Sequence, residues 1–298
     1  MKTLTATALG LIALACLPAT AATWSDTYVG YRTGNNFREP SIQQSISKQI
    51  LSLDYVGGNS LGSNFFNVDM LKSDSNDPIN NTTGGNNAGV VNAPKGAQEV
   101  YVAYRNNLSF AALTGHKFTG KIIRDVEWTT GFDYNSKNTT FAPSVYKLMT
   151  GPTLSFNVPG FATLGVQYYK EWNHDAFATS FGNKGNVNVV FDPTYQINAA
   201  WGINVPFGKF KGFAAFTGAK GKAGDLTEMK PETLIDMYYM FDISGVVGAK
   251  KGTWQVGPGF EYWDNKFGVP TKAVKSNPFD TTVNPKTTTV MLSLEYHF

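Results

Sequence analysis

From Thr287 to Phe298 the chain alternates without a break, Val290, Leu292, Leu294, Tyr296 and Phe298 standing between Thr289, Met291, Ser293, Glu295 and His297. Successive side chains of a strand point to opposite faces, so a period of two predicts a strand with one apolar and one polar face. Eleven earlier segments repeat the pattern. Their apolar faces begin with Thr27, Val29 and Tyr31, then Leu51, Leu53 and Tyr55, then Phe66, Val68 and Met70, then Val100, Val102 and Tyr104. The fifth sets Val126, Trp128, Thr130, Phe132 and Tyr134 against Asp125, Glu127, Thr129, Gly131 and Asp133. Tyr146 and Leu148 flank Lys147 in the sixth; Leu164, Val166 and Tyr168 form the apolar face of the seventh. The eighth carries Tyr195, Ile197, Ala199, Trp201, Ile203 and Val205. Around Phe210 to Ala219 the pattern weakens, because Phe213 and Phe216 fall on opposite faces. It returns with Ile235, Met237, Tyr239, Phe241 and Ile243, and again with Trp254, Val256, Phe260 and Tyr262.

A wholly apolar face on each strand suits lipid, and an even count of twelve suits a single-chain bacterial barrel. The predicted fold is therefore all-β, a transmembrane antiparallel β-barrel of the outer-membrane type. Tyr296 and the final Phe298 belong in an aromatic girdle at one membrane interface, and Trp128, Trp201 and Trp254 face lipid or the girdle. Connection lengths support the count, since such barrels alternate short periplasmic turns with longer outer loops. Val56–Ser63, Asn157–Gly160, Pro206–Lys211 and Ser244–Gly252 are short, whereas Gly34–Ser47, Ser73–Gly96, Trp172–Val190, Lys220–Glu232 and Asn265–Lys286 are longer. Asn107–Lys121 is long for a turn, and Asn135–Ala142 short for an outer loop. The Asn- and Gly-rich Ser73–Gly96 loop lacks the apolar side chains for a core of its own, and is expected to be mobile unless it folds into the barrel mouth.

At the N-terminus Lys2 precedes an apolar run from Ala8 to Leu17, with small residues at Ala19 and Ala21, the pattern of a secretory signal. Residues 1–22 read as a cleaved signal peptide and 23–298 as one barrel domain. Cys16, the single cysteine, lies inside that signal, so neither disulfides nor a thiolate metal site can carry the mature fold. No other segment reaches the roughly 18 apolar residues of a membrane-spanning helix. Charged residues make up 16% of the chain and nearly balance in sign, which speaks against a nucleic-acid partner.

The chain also resembles the nucleoside-specific channel-forming outer-membrane family, the Tsx-like porins. The likeness runs through Tyr31-Arg32-Thr33-Gly34-Asn35-Asn36-Phe37-Arg38-Glu39-Pro40, Val166-Gln167-Tyr168-Tyr169-Lys170-Glu171-Trp172-Asn173, Phe260-Glu261-Tyr262-Trp263 and the terminal Leu294-Glu295-Tyr296-His297-Phe298. The resemblance implies a monomeric twelve-stranded barrel in the bacterial outer membrane, crossing it many times, through which nucleosides or similar small solutes diffuse passively. It also implies outer loops that serve phages or bacteriocins as receptors. The Asn- and Gly-rich loop departs from the family, and no family contact aligns with a particular position here.

The inward faces collect acids, among them Asp26, Asp54, Asp69, Glu99, Asp125, Asp133, Asp242 and Glu295, with only Arg32, Arg105 and Lys147 clearly opposing them. Unpaired buried charge is costly, so the acids imply a wet interior and a weak preference for cations. By parity the lumen-facing candidates for substrate contact are Tyr28, Arg32, Tyr101, Arg105, Glu127, Tyr169, Glu171, Asp236, Tyr238, Glu261 and Trp263. Aromatic faces can stack on a nucleobase for about 1 to 3 kcal/mol each, and neighbouring acids can accept from ribose hydroxyls. The same tyrosines also suit plain space-filling and hydrogen bonding in a narrow barrel. No cofactor is implied. The three histidines, His116, His174 and His297, are scattered and form no metal site, and residue 176 is Ala where an outer-membrane phospholipase pattern needs Ser. His174-Asp175 is a lone acid–His pair of the kind an outer-membrane protease uses, and with the rest of that motif absent it reads as part of a solvated loop. Two non-enzymatic alternatives stand beside the selective channel, a general small-solute porin and a plugged structural or receptor barrel.

Overall fold

The computed structural model describes residues 22–40, 42, 44–79, 95–116, 118–139, 144–174, 188–221, 229–269 and 286–298. Residues 1–21 of the expected signal, most of the Asn- and Gly-rich loop and the His174 side chain lie outside the described part. The strands are β1 (Trp24–Phe37), β2 (Ile46–Asn59), β3 (Gly62–Ser73), β4 (Gln98–Ser109), β5 (Ile123–Lys137), β6 (Ser144–Phe156), β7 (Gly160–His174), β8 (Asn188–Val190), β9 (Thr194–Val205), β10 (Gly208–Thr217), β11 (Glu232–Asp242), β12 (Trp254–Asp264) and β13 (Thr287–His297). All belong to one sheet in which every pairing is antiparallel. The sheet closes on itself, because β13 pairs with β1 with Tyr28 opposite His297, and β6 pairs with β7. The three-residue β8 sits against the far end of β7, beyond the part that pairs with β9. Twelve strands therefore circle the barrel, as the alternation predicts.

The closing strand shows why these residues form this fold. Burial alternates along all of β13, with Thr287, Thr289, Met291, Ser293, Glu295 and His297 buried and the residues between them exposed. A soluble protein buries its aliphatic side chains and exposes its charges. Here Val290 is 67% exposed, Leu292 60% and Val166 53%, while Glu171 is 2% exposed and Lys220 3%. That inversion is the design of a barrel set in lipid around a polar interior. Outward aromatics pair at both rims: Trp254 and Phe298 contact Tyr296, with ring centres 4.8 and 5.2 Å away, and Tyr134 meets Tyr146 at 5.1 Å near the other rim. Among the described residues no helix is long and apolar enough to cross a membrane.

Three local features depart from the sequence reading. The expected turn Pro206–Lys211 contracts to Pro206-Phe207, because Val205 already pairs with Gly208. Lys209 and Lys211 consequently enter β10 and face inward. The long Asn107–Lys121 connection holds one helical turn, α1 (Phe110–Thr114), whose first turn is capped by Ser109 Oγ accepting from the Ala112 amide at 2.9 Å. At the loop end, Phe37, Ile42, Ile46, Ile50 and Met291 form an apolar cluster, with Leu71 and Tyr238 packed against it. It joins the end of β1 and the start of β2 to residue 42 of the segment between them.

Candidate functional site

Strict alternation sends every second side chain of each strand into the lumen, and the barrel brings these side chains together across strands far apart in sequence. Near the chain termini Tyr28 stacks on His297 at 4.7 Å, and the ammonium of Lys211 lies 4.1 Å from the Tyr28 ring centre while pairing with Glu295 at 2.7 Å. His297 Nδ1 lies 2.7 Å from Asp26 Oδ1, and Lys209 lies 3.7 Å from the same carboxylate.

Farther along, Arg32 pairs with Asp69, and Asn67 donates to Asp54 at 2.9 Å and to Asp69 at 3.1 Å. Tyr238 donates to Asp236 at 3.1 Å, with the Arg32 guanidinium 5.9 Å from its ring centre. The Tyr238 ring lies over Gly259, its cross-strand partner, where a Cβ would stand 2.3 Å from a ring carbon. That close approach needs glycine. On the β4–β6 wall Arg105 pairs with Asp133 at 2.7 Å, Tyr101 donates to the same carboxylate at 2.6 Å, and Lys147 lies 5.5 Å from the Tyr101 ring centre.

At the loop end Glu39, just past β1, is the hub of a buried cluster. Lys48 reaches it at 2.6 Å, Lys266 at 3.1 Å and Lys137 at 3.9 Å, and Lys137 also pairs with Asp77 at 2.8 Å. Beside it Lys220 pairs with Glu171, which also accepts from Tyr169 at 2.6 Å, and Trp263 donates to Glu232 at 2.8 Å. Burial pushes the Glu39 carboxyl up, but Lys137, Lys266 and Lys48 outweigh it and hold the group well below the ordinary carboxylate range. A folded-state value below the unfolded one contributes stability above the unfolded pKa, and that stability is lost as pH falls through the folded value. The mouth is therefore expected to stay docked through mild acid. Amide exchange of the segment around Ile42, corrected for intrinsic rate, should show the same protection at neutral pH and at about pH 4.5; release already by then would contradict this.

All the lumen candidates with described side chains sit on inward faces, but they form a ladder of clusters rather than one site. Arg32, Asp236, Tyr238 and Glu261 come together; Tyr101 and Arg105 share Asp133; Tyr169 and Glu171 share a contact; Trp263 joins the mouth, with Lys266 lying 4.4 Å from its ring centre. Tyr28 stands at the terminal end, and Glu127 lies by Asp125 near α1. The expectation that Arg32, Arg105 and Lys147 alone oppose the acids is corrected by Lys48, Lys137, Lys209, Lys211, Lys220 and Lys266, each paired with a carboxylate. The broad acid excess behind a cation preference is thereby narrowed to particular places. Lys48 shares the parity of Ser52 and Asp54 and was legible by extending that strand; Glu39, Lys220 and Lys266 lie in connections, where alternation carries no signal. His116 lies just past α1 against Phe118, at 4.8 Å between ring centres. Among the described residues no group of three His, Asp or Glu is placed to hold a metal.

No family model matches the chain, and no curated protein matches it. Among solved structures it is similar to the translocator domain of autotransporter NalP from Neisseria meningitidis, at 12% identity and a TM-score of 0.38, covering 99% of this chain and 96% of that one. It is also similar to OmpT, an outer membrane protein of Vibrio cholerae in trimer form, at 11% identity and a TM-score of 0.34, covering 93% and 100%. A third is the outer membrane protein opdK from Pseudomonas aeruginosa, at 10% identity and a TM-score of 0.26, covering 93% and 100%. These neighbours are outer-membrane barrels, and none is a nucleoside-specific channel by its description.

Proposed function

We propose that this barrel is a passive, solute-selective channel of the bacterial outer membrane, with nucleosides as the substrate class that the resemblance implies. The observation that carries the channel reading is the continuous ionisable lining, from Glu39 at the mouth through Arg32 and Asp133 to Asp26 and His297 at the other end. A dry, purely structural core has no use for so many desolvated charges, since well-packed apolar side chains of similar volume are commonly neutral or more stable there. Twelve strands enclose a narrower bore than a sixteen-stranded porin, which favours selection over bulk passage. Inward aromatics beside carboxylates, Tyr101 with Asp133 and Tyr238 with Asp236, supply stacking faces and hydrogen-bond acceptors for a base and a ribose.

A second reading, a barrel closed at its mouth, is supported by the apolar cluster around Ile42 and the lysines gathered on Glu39. Single-channel conductance of the refolded protein in a planar bilayer, titrated with thymidine, adenosine or maltose, separates the two. A selective channel gives current steps that nucleosides block and maltose does not. Steps without nucleoside block remove the nucleoside assignment and leave a small-solute channel, and absence of conductance moves the protein to the closed reading.

A further inference from the structure

Asp236 and Glu261 stand directly opposite each other in the β11–β12 register, both turned into the lumen. Like charges facing each other across a strand pair repel, so such a pair needs a cation or a shared proton. Among the described residues no lysine or arginine forms a close ion pair with either, although Arg32 faces Asp236, and Arg32, Lys48 and Lys266 face Glu261 from farther away. Arg32 is engaged by Asp69, Lys48 and Lys266 are drawn to Glu39, and Lys211 is held by Glu295. Arg32 faces Asp54, Asp69, Asp236 and Glu261 together, and its ion pair is with Asp69. A second observation points to a ligand. Asp236 is 8% exposed, yet its Oδ1 has no hydrogen-bond partner in the protein, and Glu261 Oε1 is likewise buried and unpartnered. One side of the wall beside these oxygens is apolar. The Tyr238 hydroxyl that donates to Asp236 Oδ2 also lies 3.8 Å from Met291 Sδ, and Tyr238 packs on the aliphatic cluster at the mouth.

We propose that this part of the lumen is a binding site for an organic cation. A protonated primary amine donates to Asp236 Oδ1 and Glu261 Oε1 and rests its carbon skeleton on Tyr238 and Met291. An ammonium offers three donors and no acceptor, which matches two carboxylate oxygens lacking partners, and the aliphatic wall favours an amine with an apolar body over a small hydrated ion. The proposal rests on the reading of the barrel interior as solute-accessible, and not on the nucleoside assignment.

The test is calorimetric titration of the detergent-solubilised, folded barrel with phenethylamine at neutral pH, with 2-phenylethanol as the neutral counterpart and potassium chloride as competitor, beside conductance of the same preparation. Saturable amine binding is expected, with no comparable heat from the alcohol. In the Asp236→Asn/Glu261→Gln variant the amine should bind at least about tenfold more weakly, as loss of charge-assisted hydrogen bonds implies. Both substitutions remove a repulsion and keep side-chain volume, and loss of the folded band on an unheated gel would report misfolding separately; in that case Asp236→Asn alone replaces the pair. Equal binding by the variant, equal binding by the alcohol, or displacement by potassium at matched concentration would each overturn the organic-cation site. Conductance without amine binding also overturns it and leaves the channel standing, whereas amine binding without conductance leaves the site and overturns the channel.

Discussion

Replacing Lys220 with Met is expected to destabilise the barrel by about 3 to 5 kcal/mol, the usual cost of removing one partner of a buried ion pair. Lys220 and Glu171 are among the least exposed charged side chains described, and the Glu171 carboxylate has Tyr169 as its other donor. The variant therefore leaves a desolvated carboxylate with one neutral hydrogen bond. Urea unfolding of protein inserted in lipid vesicles would read the loss, and Lys220→Met/Glu171→Gln should recover most of it by discharging the orphan. A loss under about 1 kcal/mol would be that of a solvent-exposed pair. It would show that water reaches Glu171 and that the loop end is wetter than its burial indicates.

The second large effect belongs to the opposite surface. Leu292 is the sixth of the eleven residues of β13 and is 60% exposed, which places it on the lipid face near the middle of the span. Leu292→Arg should cost about 2 to 4 kcal/mol, and the penalty should shrink toward the interfaces. Trp201→Arg tests that gradient: Trp201 sits four residues before the end of β9 and packs on Phe210 at 5.7 Å, so a smaller loss is expected there. Folding titrations of the two variants in the same bilayer would check the order. A larger penalty at 201 than at 292 would mean that the apolar belt is displaced along the axis, and no penalty at either would place these faces out of lipid.

The lumen ladder shows where sequence reasoning reached and where it stopped. Alternation fixes direction within a strand, so Tyr28, Arg32, Tyr101, Asp236 and Tyr238 could be assigned to the interior from their positions alone. It could not pair Asp236 with Glu261 or put Lys211 beside Tyr28, because those contacts depend on register between strands, and a shift of two residues preserves every face while changing every partner. Even the weak segment at Phe210–Ala219 took its place as β10 through its neighbours: β9 and β11 supply the hydrogen bonds on both sides, which local side-chain pattern does not encode. The mouth was less legible still. Glu39, Lys220 and Lys266 lie in connections, and the ion pairs that draw them inward join residues as much as 227 positions apart.

By itself the sequence determined the strand count, the strand faces and an interior rich in ionisable groups, because each follows from a period of two and from the cost of exposing charge to lipid. Which carboxylate met a lysine, which remained with an unpartnered oxygen, and that the segment after β1 turned back into the mouth were decided by the tertiary structure. Closure of the sheet sets the register of all twelve strands together, and only then do distant charges come within hydrogen-bonding reach.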